Sequence, residues 1–577
     1  MNALLRLYET LRRLRPSQPA HRLVRRAKAP GAPSSTASVR WVGVLALPDE
    51  ARRPRCAPFD RPEPDGRAWT FAGARARVGD DGRLAWDESE PTELQRYHAA
   101  YADVGRALVE DGQPAIAERW LGAIDIEPHP YVRSRRILSL VEARTRGLVA
   151  AEAILVRDAA ALFKTVERDV RGNHLCANAV ALERAGHAFA GPSAKRWASL
   201  GRTLLTACVR DQVLEDGVHY ERSPAYQGLV LEHLLIALET AASAGVAPAP
   251  GVEDGARRLA VALAEMQLPD GELMRRGDGA PGLSLPTDAL LAWARRRLSP
   301  LPPPRAGTRM FSAAGLVVVE DGATRSAISL IACAPCPREL PAHGHADALA
   351  CEIVLNGVRV VASAGTAAYG EGRERDADRL PGAFAGAMLD GRPPADPYGA
   401  FRVGARGWVR RMSRWDEDGV TSIEAYSDGY SRAIDPTIHR RVVAVARDVA
   451  VVIDEWTGRR EGVVELAWPL APGLRATIEG RSARIEGARG AFRWWASDGE
   501  ARIETGRYAA LLGVSVPRDV LWNRVRVSRP SRCVHVVASG VQPIEAVVTP
   551  APGGVIRVTL RRGTSERAFH VNVGHRP

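Results

Sequence analysis

Lysine is nearly missing from this chain. Of 79 basic residues only Lys28, Lys164 and Lys195 are lysine, so arginine carries the net charge of +12. Such a skew reflects genome composition before it reflects guanidinium chemistry. A basic chain suits nucleic acid, an anionic membrane or an acidic polymer. Zinc-finger spacing, an RNP-type aromatic strand and any dense basic run in the body are all lacking, which argues against nucleic acid. An acidic polysaccharide fits the charge equally well. Cysteine is scarce too, with Cys56, Cys176, Cys208, Cys333, Cys336, Cys351 and Cys533 spread over 577 residues. An odd number at irregular spacing argues against a disulfide framework. Cys333-Ala-Pro-Cys336 follows a strand-like segment and runs into Pro337, away from the helix N-terminus that would lower a redox thiol's pKa. The pair therefore reads as incidental. No stretch approaches the roughly 18 apolar residues of a spanning helix. The start of the chain lacks the uninterrupted apolar core and small-residue cleavage site of a secretory signal. Leu4, Leu5, Leu7, Leu11 and Leu14 mix there with Arg6, Arg12, Arg13 and Arg15, as in a short amphipathic basic helix ending near Pro16.

What is present is ordinary for a folded protein: 46% hydrophobic and 25% charged residues. A length of 577 residues exceeds what one core holds, so two or three domains are expected. Residues 1–65 read as an Arg-, Pro- and Ser-rich extension, irregular after the first helix. Residues 66–305 read as a helical domain. Leu231, Leu234, Leu235 and Leu238 mark one helix face, and further helical runs fall near 92–110, 132–147, 152–171, 174–187, 194–214, 253–267 and 286–298. No strands are expected among them, which suggests stacked antiparallel helix pairs. Beyond the stiff Leu298-Ser-Pro-Leu-Pro-Pro-Pro304 linker, residues 306–577 turn to short β-branched runs. Ala350–Leu355 and Val358–Ala362 flank Asn356-Gly357, a type I′ hairpin signal. Other such runs are Gly315–Val319, Arg441–Val445, Val449–Ile453, Val464–Trp468, Ala491–Ala496, Cys533–Ala538 and Val555–Leu560. The fold expected is α+β multidomain, with packed antiparallel sheets after the helices.

Three clusters carry candidate chemistry. Gly172-Asn173-His174 opens a helix, where an amide, an imidazole and helix N–H groups can bind a carboxylate; Asn173 reads equally as a plain helix cap. In Asp216-Gly217-Val-His219-Tyr220-Glu221-Arg222-Ser223-Pro224-Ala-Tyr226, Ser223-Pro224 reads as a cap with proline at the first helical position. The groups around it form either a cleft wall or a network that seats the loop. His343-Gly344-His345-Ala-Asp347 would share a metal if it lay on a strand, whereas in a loop the geometry is open.

Taken in order, Leu94-Gln-Arg-Tyr97-His98, Glu127-Pro-His-Pro-Tyr131, Gly172–Asn178, Asp216–Tyr226, His343–Leu349, Gly365-Thr366, Phe401–Gly404, Asp428-Gly-Tyr430 and His439-Arg-Arg441 resemble the heparinase II/III-like polysaccharide lyases and their alginate-lyase relatives. The resemblance implies an N-terminal (α/α) toroid followed by a C-terminal antiparallel β-sandwich, with a cleft between them. It implies β-elimination on a uronic-acid polysaccharide. Asn173 and His174 match positions that neutralise the uronate carboxylate. Tyr226 and His343 match the proton-transfer groups. His219, Glu221, Arg222, Tyr97 and His98 are expected to bind substrate. Family members holding a structural metal use a second His of His-x-His, an Asp and a further His. Here His345 remains, but Ser363 and Phe384 stand at the other positions, so no metal or other cofactor is expected. The cell envelope or periplasm is the expected location by resemblance. Two alternatives stand beside the lyase: a non-catalytic polymer-binding relative, and a glycoside hydrolase using Asp270, Glu272 or Asp278.

Overall fold

The computed structural model describes residues 3–27, 39–49, 67–87, 90–124, 129–431, 436–458, 461–528, 531–562 and 564–572. Cys56, and Glu127 and Pro128 of the segment quoted above, lie outside them.

The helical half is built on long antiparallel helices around one apolar core. Helix Pro224–Ser243 begins as expected, with Ser223 Oγ accepting from the Tyr226 N–H and Pro224 in the first turn. Its Leu231, Leu234, Leu235 and Leu238 are all buried. It packs on Gly172–Ala188 and Val252–Glu265. Helices Gly172–Ala188 and Pro192–Gln212 meet backbone to backbone, because a Cβ on Gly186 would stand 2.3 Å from the Ala198 nitrogen.

Several elements differ from the sequence reading. The single run at 92–110 is two helices, Glu93–Ala100 and Asp103–Glu110, broken where Ala102 takes a φ of 68°. The run at 152–171 stops at Thr165, and the following turn carries Glu167 beneath the site. Helix Pro114–Ala123 was not anticipated. Nor was a three-stranded meander, Ala68–Phe71, Ala74–Val78 and Leu84–Trp86, which lies within the bounds given to the helical domain but before its first expected helix. The region after the first helix, Ala3–Leu11, is not wholly irregular. A second helix, Ser17–Ala27, follows, and strand Arg40–Trp41 pairs with Phe189–Ala190. Tertiary partners rather than local pattern hold this segment. Arg6 grips Asp396 through two bonds of 2.9 and 2.8 Å. Arg25 grips Asp169 likewise, at 2.9 and 2.7 Å.

In the second half the Asn356-Gly357 turn appears as expected, with φ of 51° and 74°, between Cys351–Leu355 and Val358–Val361. These strands end a five-stranded antiparallel sheet. It packs on an eight-stranded sheet whose inner strands include Ile438–Ala446 and Val449–Thr457. Val443, Val445 and Val452 face the five-stranded sheet, while Val442, Ala444, Val451 and Ile453 face a three-stranded sheet over Glu545–Asn572. The antiparallel sandwich thus has a third layer, and both faces of its middle sheet are apolar. A further apolar cluster, in which Val218, Met266 and Met274 meet Phe311, Leu316 and Phe384, joins the two halves.

Candidate active site

The first turn of helix Gly172–Ala188 meets the loop before Ser223 edge-on. Gly172 has a φ of 56°, and a Cβ there would stand 2.2 Å from Glu221 Oε1, so the residue keeps both the turn and the close approach possible. Its N–H donates to the Tyr220 hydroxyl at 3.0 Å. The Asn173 N–H donates to Glu221 Oε1 at 2.8 Å, and its side-chain amide reaches both Glu221 oxygens at 3.2 Å. Asn173 is therefore buried and committed to Glu221, not held open toward the cleft.

His174 turns Nδ1 to Glu167 Oε1 at 3.1 Å and stacks on Tyr131 with ring centroids 4.4 Å apart. Burial works against its protonation, but the Glu167 carboxylate outweighs it and the pKa is raised. The ring keeps part of its surface open. His129 stands edge-on to it at 5.9 Å, and Tyr97 lies 5.5 Å beyond His129. Tyr97 thus joins the aromatic wall at one remove.

Tyr226 and His343, from different halves of the chain, face each other with ring centroids 4.0 Å apart at 32°. The Tyr226 hydroxyl shares a 3.1 Å hydrogen bond with that of Tyr369. Burial, reinforced by the neighbouring Tyr369 and Asp278, raises the Tyr226 pKa well above the usual phenol range. His343 lies in a loop between two carboxylates: Nδ1 is 2.9 Å from Asp278 Oδ2 and Nε2 is 3.3 Å from Glu221 Oε2. Asp278 is the hub. Completely buried, it pairs with the Arg375 guanidinium through both oxygens and takes bonds from His343, from His345 Nε2 at 2.8 Å and from the Thr366 hydroxyl at 3.1 Å. Burial alone would raise its pKa, yet Arg375 and the two imidazoles hold it well below the carboxylate range.

The structure brings Asn173, Glu221 and His343 into one chain of contacts and sets Tyr226 against His343. His174 stands on the same helix turn as Asn173. His219 departs from the reading that gave it a place on the substrate surface. It is fully buried, with Nε2 3.1 Å from Gln212 Oε1, and burial lowers its pKa to about 4, so it seats the loop. Glu221 is equally buried and positions Asn173 and His343 in place of touching solvent. Arg222 is partly exposed, with a φ of 61°. His98 stands against Tyr101, 4.9 Å between centroids, and lines a cavity that borders the cluster at Ser223 and Asp278. The sequence reading missed Glu167, Tyr369 and Arg375, and weighed Asp278 only as a hydrolase acid. Of the other residues weighed for a hydrolase, Asp270 is held by Arg359 at 2.7 and 3.0 Å and Glu272 stands exposed at the rim, so with Asp278 buried the three form no facing carboxylate pair.

The residues at the family's metal positions do not fit an ion. His345 spends Nε2 on Asp278, the Ser363 hydroxyl is buried without a hydrogen bond, and the Phe384 ring packs 6.4 Å from that of His345. Among the described residues no three His, Cys, Asp or Glu side chains converge as metal ligands.

Residues 155–279 match the family profile described as Heparinase II/III N-terminus, and residues 303–540 match that described as Heparinase II/III-like, C-terminal. No curated protein sequence is similar enough to count as a match. Among solved structures the chain is similar to heparinase III, with a TM-score of 0.69 at 14% identity, covering 96% of each chain. It is also similar to a heparan sulfate lyase HepC mutant from Pedobacter heparinus, with a TM-score of 0.61 at 16% identity over 97% of this chain and 95% of that one. At these identities the likeness is one of fold.

Proposed function

Because the chain belongs to the heparinase II/III-like polysaccharide lyase family, we propose that it cleaves a uronic-acid-containing acidic polysaccharide by β-elimination at the Tyr226–His343 pair. The observation that carries this reading is that pairing: two proton-transfer groups from different halves of the chain, 4.0 Å apart between ring centroids.

The C5 proton of a uronate is weakly acidic until its carboxylate is neutralised. His174 supplies the positive charge. The Glu167 carboxylate favours its protonated form against the effect of burial, and with Nδ1 on Glu167 its Nε2 is left for the substrate carboxylate. Asn173 acts as a positioning residue, holding Glu221 against His343. Burial favours the protonated Tyr226 phenol; within the Tyr226–His343 pair one group takes the C5 proton and the other protonates the leaving O4, the order following the epimer at C5. Asp278 orients the His343 ring through Nδ1. No step involves a metal. The cell envelope, where such polymers lie, is the location we assign, and recovery of the protein from the cytosolic fraction alone would overturn it. Among the described residues no helix is long and apolar enough to cross a membrane.

The test is a panel of uronic-acid polymers followed by the near-ultraviolet absorbance of the unsaturated product. The wild-type chain should generate that absorbance on at least one polymer. Tyr226→Phe should lose about 10²–10⁴-fold in turnover while binding the polymer as before. Reducing ends without the absorbance would replace the lyase by a hydrolase. Binding without any product would leave a polymer-binding relative.

A further inference from the structure

A cavity of about 490 Å³ opens beside the catalytic cluster and shares Ser223 and Asp278 with its wall. Its volume falls within the range of small-molecule sites. Its lining comes from the N-terminal meander, the paired helices at 93–110, the start of helix Pro224–Ser243, the stretch 271–288, and Leu511 and Leu512 of the second half. Arg106 forms part of this wall and is only 7% exposed. Among the described residues its guanidinium has no acidic partner, and its Nε has no hydrogen bond.

That state is expensive. A buried cation without a counter-charge costs several kcal/mol unless something neutralises it. The other charges around the cavity do not. Asp103, three residues earlier on the same helix, takes the Ser139 hydroxyl at 2.7 Å. Glu272 and Asp288 sit at the exposed rim. Arg275 donates to the carbonyls of Ala364 and Ala509, and Arg276 to those of Glu221 and Ala334. On the wall of the same cavity, Trp69 is 5% exposed with its indole N–H also unpartnered, and it stacks with Phe71 at 6.2 Å. A planar cationic fork, an aromatic face and a spare N–H in one cavity suit an acidic sugar: the fork takes the anionic group and the indole lies along the ring.

We propose that this cavity is a saccharide subsite in which Arg106 binds the carboxylate or sulfate of an acidic sugar, apart from the residues that perform elimination. The class of ligand rests on the polysaccharide reading above; the site itself does not.

The test uses the full chain with glucuronate, glucose and inorganic sulfate as probes, read by calorimetry and by thermal shift. Glucuronate should bind and raise the melting temperature of the wild type and of Tyr226→Phe. In Arg106→Gln its affinity should fall about tenfold to hundredfold. Glucose should not bind measurably. Without ligand, Arg106→Gln should melt no lower than the wild type, because it removes an unpaired buried charge. Undiminished glucuronate binding by Arg106→Gln, or a clear loss of its ligand-free stability, overturns the proposal. Sulfate binding as tight as glucuronate makes the cavity a plain anion site and overturns the saccharide part. Arg106-dependent glucuronate binding with no unsaturated product from any polymer keeps the subsite and sinks the lyase. Product formation with Arg106-independent binding does the reverse.

Discussion

Asp278 holds a negative charge with no water to help it, and its neighbours are arranged around that fact. Changing it to Asn would strand the Arg375 guanidinium, which is itself buried. We expect Asp278→Asn to lose about 3–5 kcal/mol in denaturant titration, the usual cost of breaking a buried pair from one side. Glu183 behaves in the opposite way. Burial raises its pKa to about 7, with Arg202 only partly opposing it. The folded state therefore holds this proton more tightly than the unfolded chain. The stability it contributes is complete below about pH 4.5 and is lost as pH rises through about 7. Glu183→Gln mimics the protonated carboxyl. Its melting temperature should match the wild type near pH 5 and exceed it near pH 8, and equal curves at both would show that Glu183 is not the titrating group. Much at this scale was legible in the sequence. Ser223-Pro224 announces its cap, and the family motif marks Tyr226 and His343. Glu167 and Arg375 were not legible, because each acts through a partner elsewhere in the chain, His174 and Asp278, and neither sits in a patterned segment.

Elements were readable where their pattern was long and their burial two-sided. The runs Val442–Val445 and Val449–Ile453 are nearly continuous in apolar residues because sheets cover both their faces. The meander at 68–86 hid because its strands span three to five residues, too few for alternation to stand out against a helical background. The second N-terminal helix hid for another reason: Ser17–Ala27 leaves Leu23 exposed and is tied down by polar groups. Gln18 is the buried link, donating to the Asp169 carbonyl at 2.9 Å. Arg25→Ala, which removes the paired contact to Asp169, should therefore release the second helix. Limited proteolysis should cut the variant between residues 12 and 27 faster than the wild type. Unchanged cleavage would mean that Gln18 and the Arg6–Asp396 pair suffice.

At the scale of the molecule, the halves share a buried seam. Met266 and Met274 from one side lie in a single cluster with Phe311, Leu316 and Phe384 from the other. Neither half keeps that surface dry alone. Denaturation followed by tryptophan fluorescence and by far-ultraviolet circular dichroism should give coincident curves. Two separated transitions would show that the seam contributes little.

Outside that cluster the halves meet again at two glycines. Gly73, at the turn of the meander, has a φ of 85°, and Gly513, at the tip of a hairpin, one of 83°. A Cβ on Gly513 would come within 1.8 Å of the Ala72 carbonyl oxygen. This contact has a consequence for synthesis. The ribosome makes the meander early and residue 513 late, so the turn at Gly73 waits through some 440 residues of translation for its partner. Until the hairpin tip emerges, the cavity beside Arg106 lacks the wall formed by Leu511 and Leu512. A nascent chain stalled between residue 343 and that tip carries Tyr226 and His343, yet it has an unfinished cavity beside Arg106.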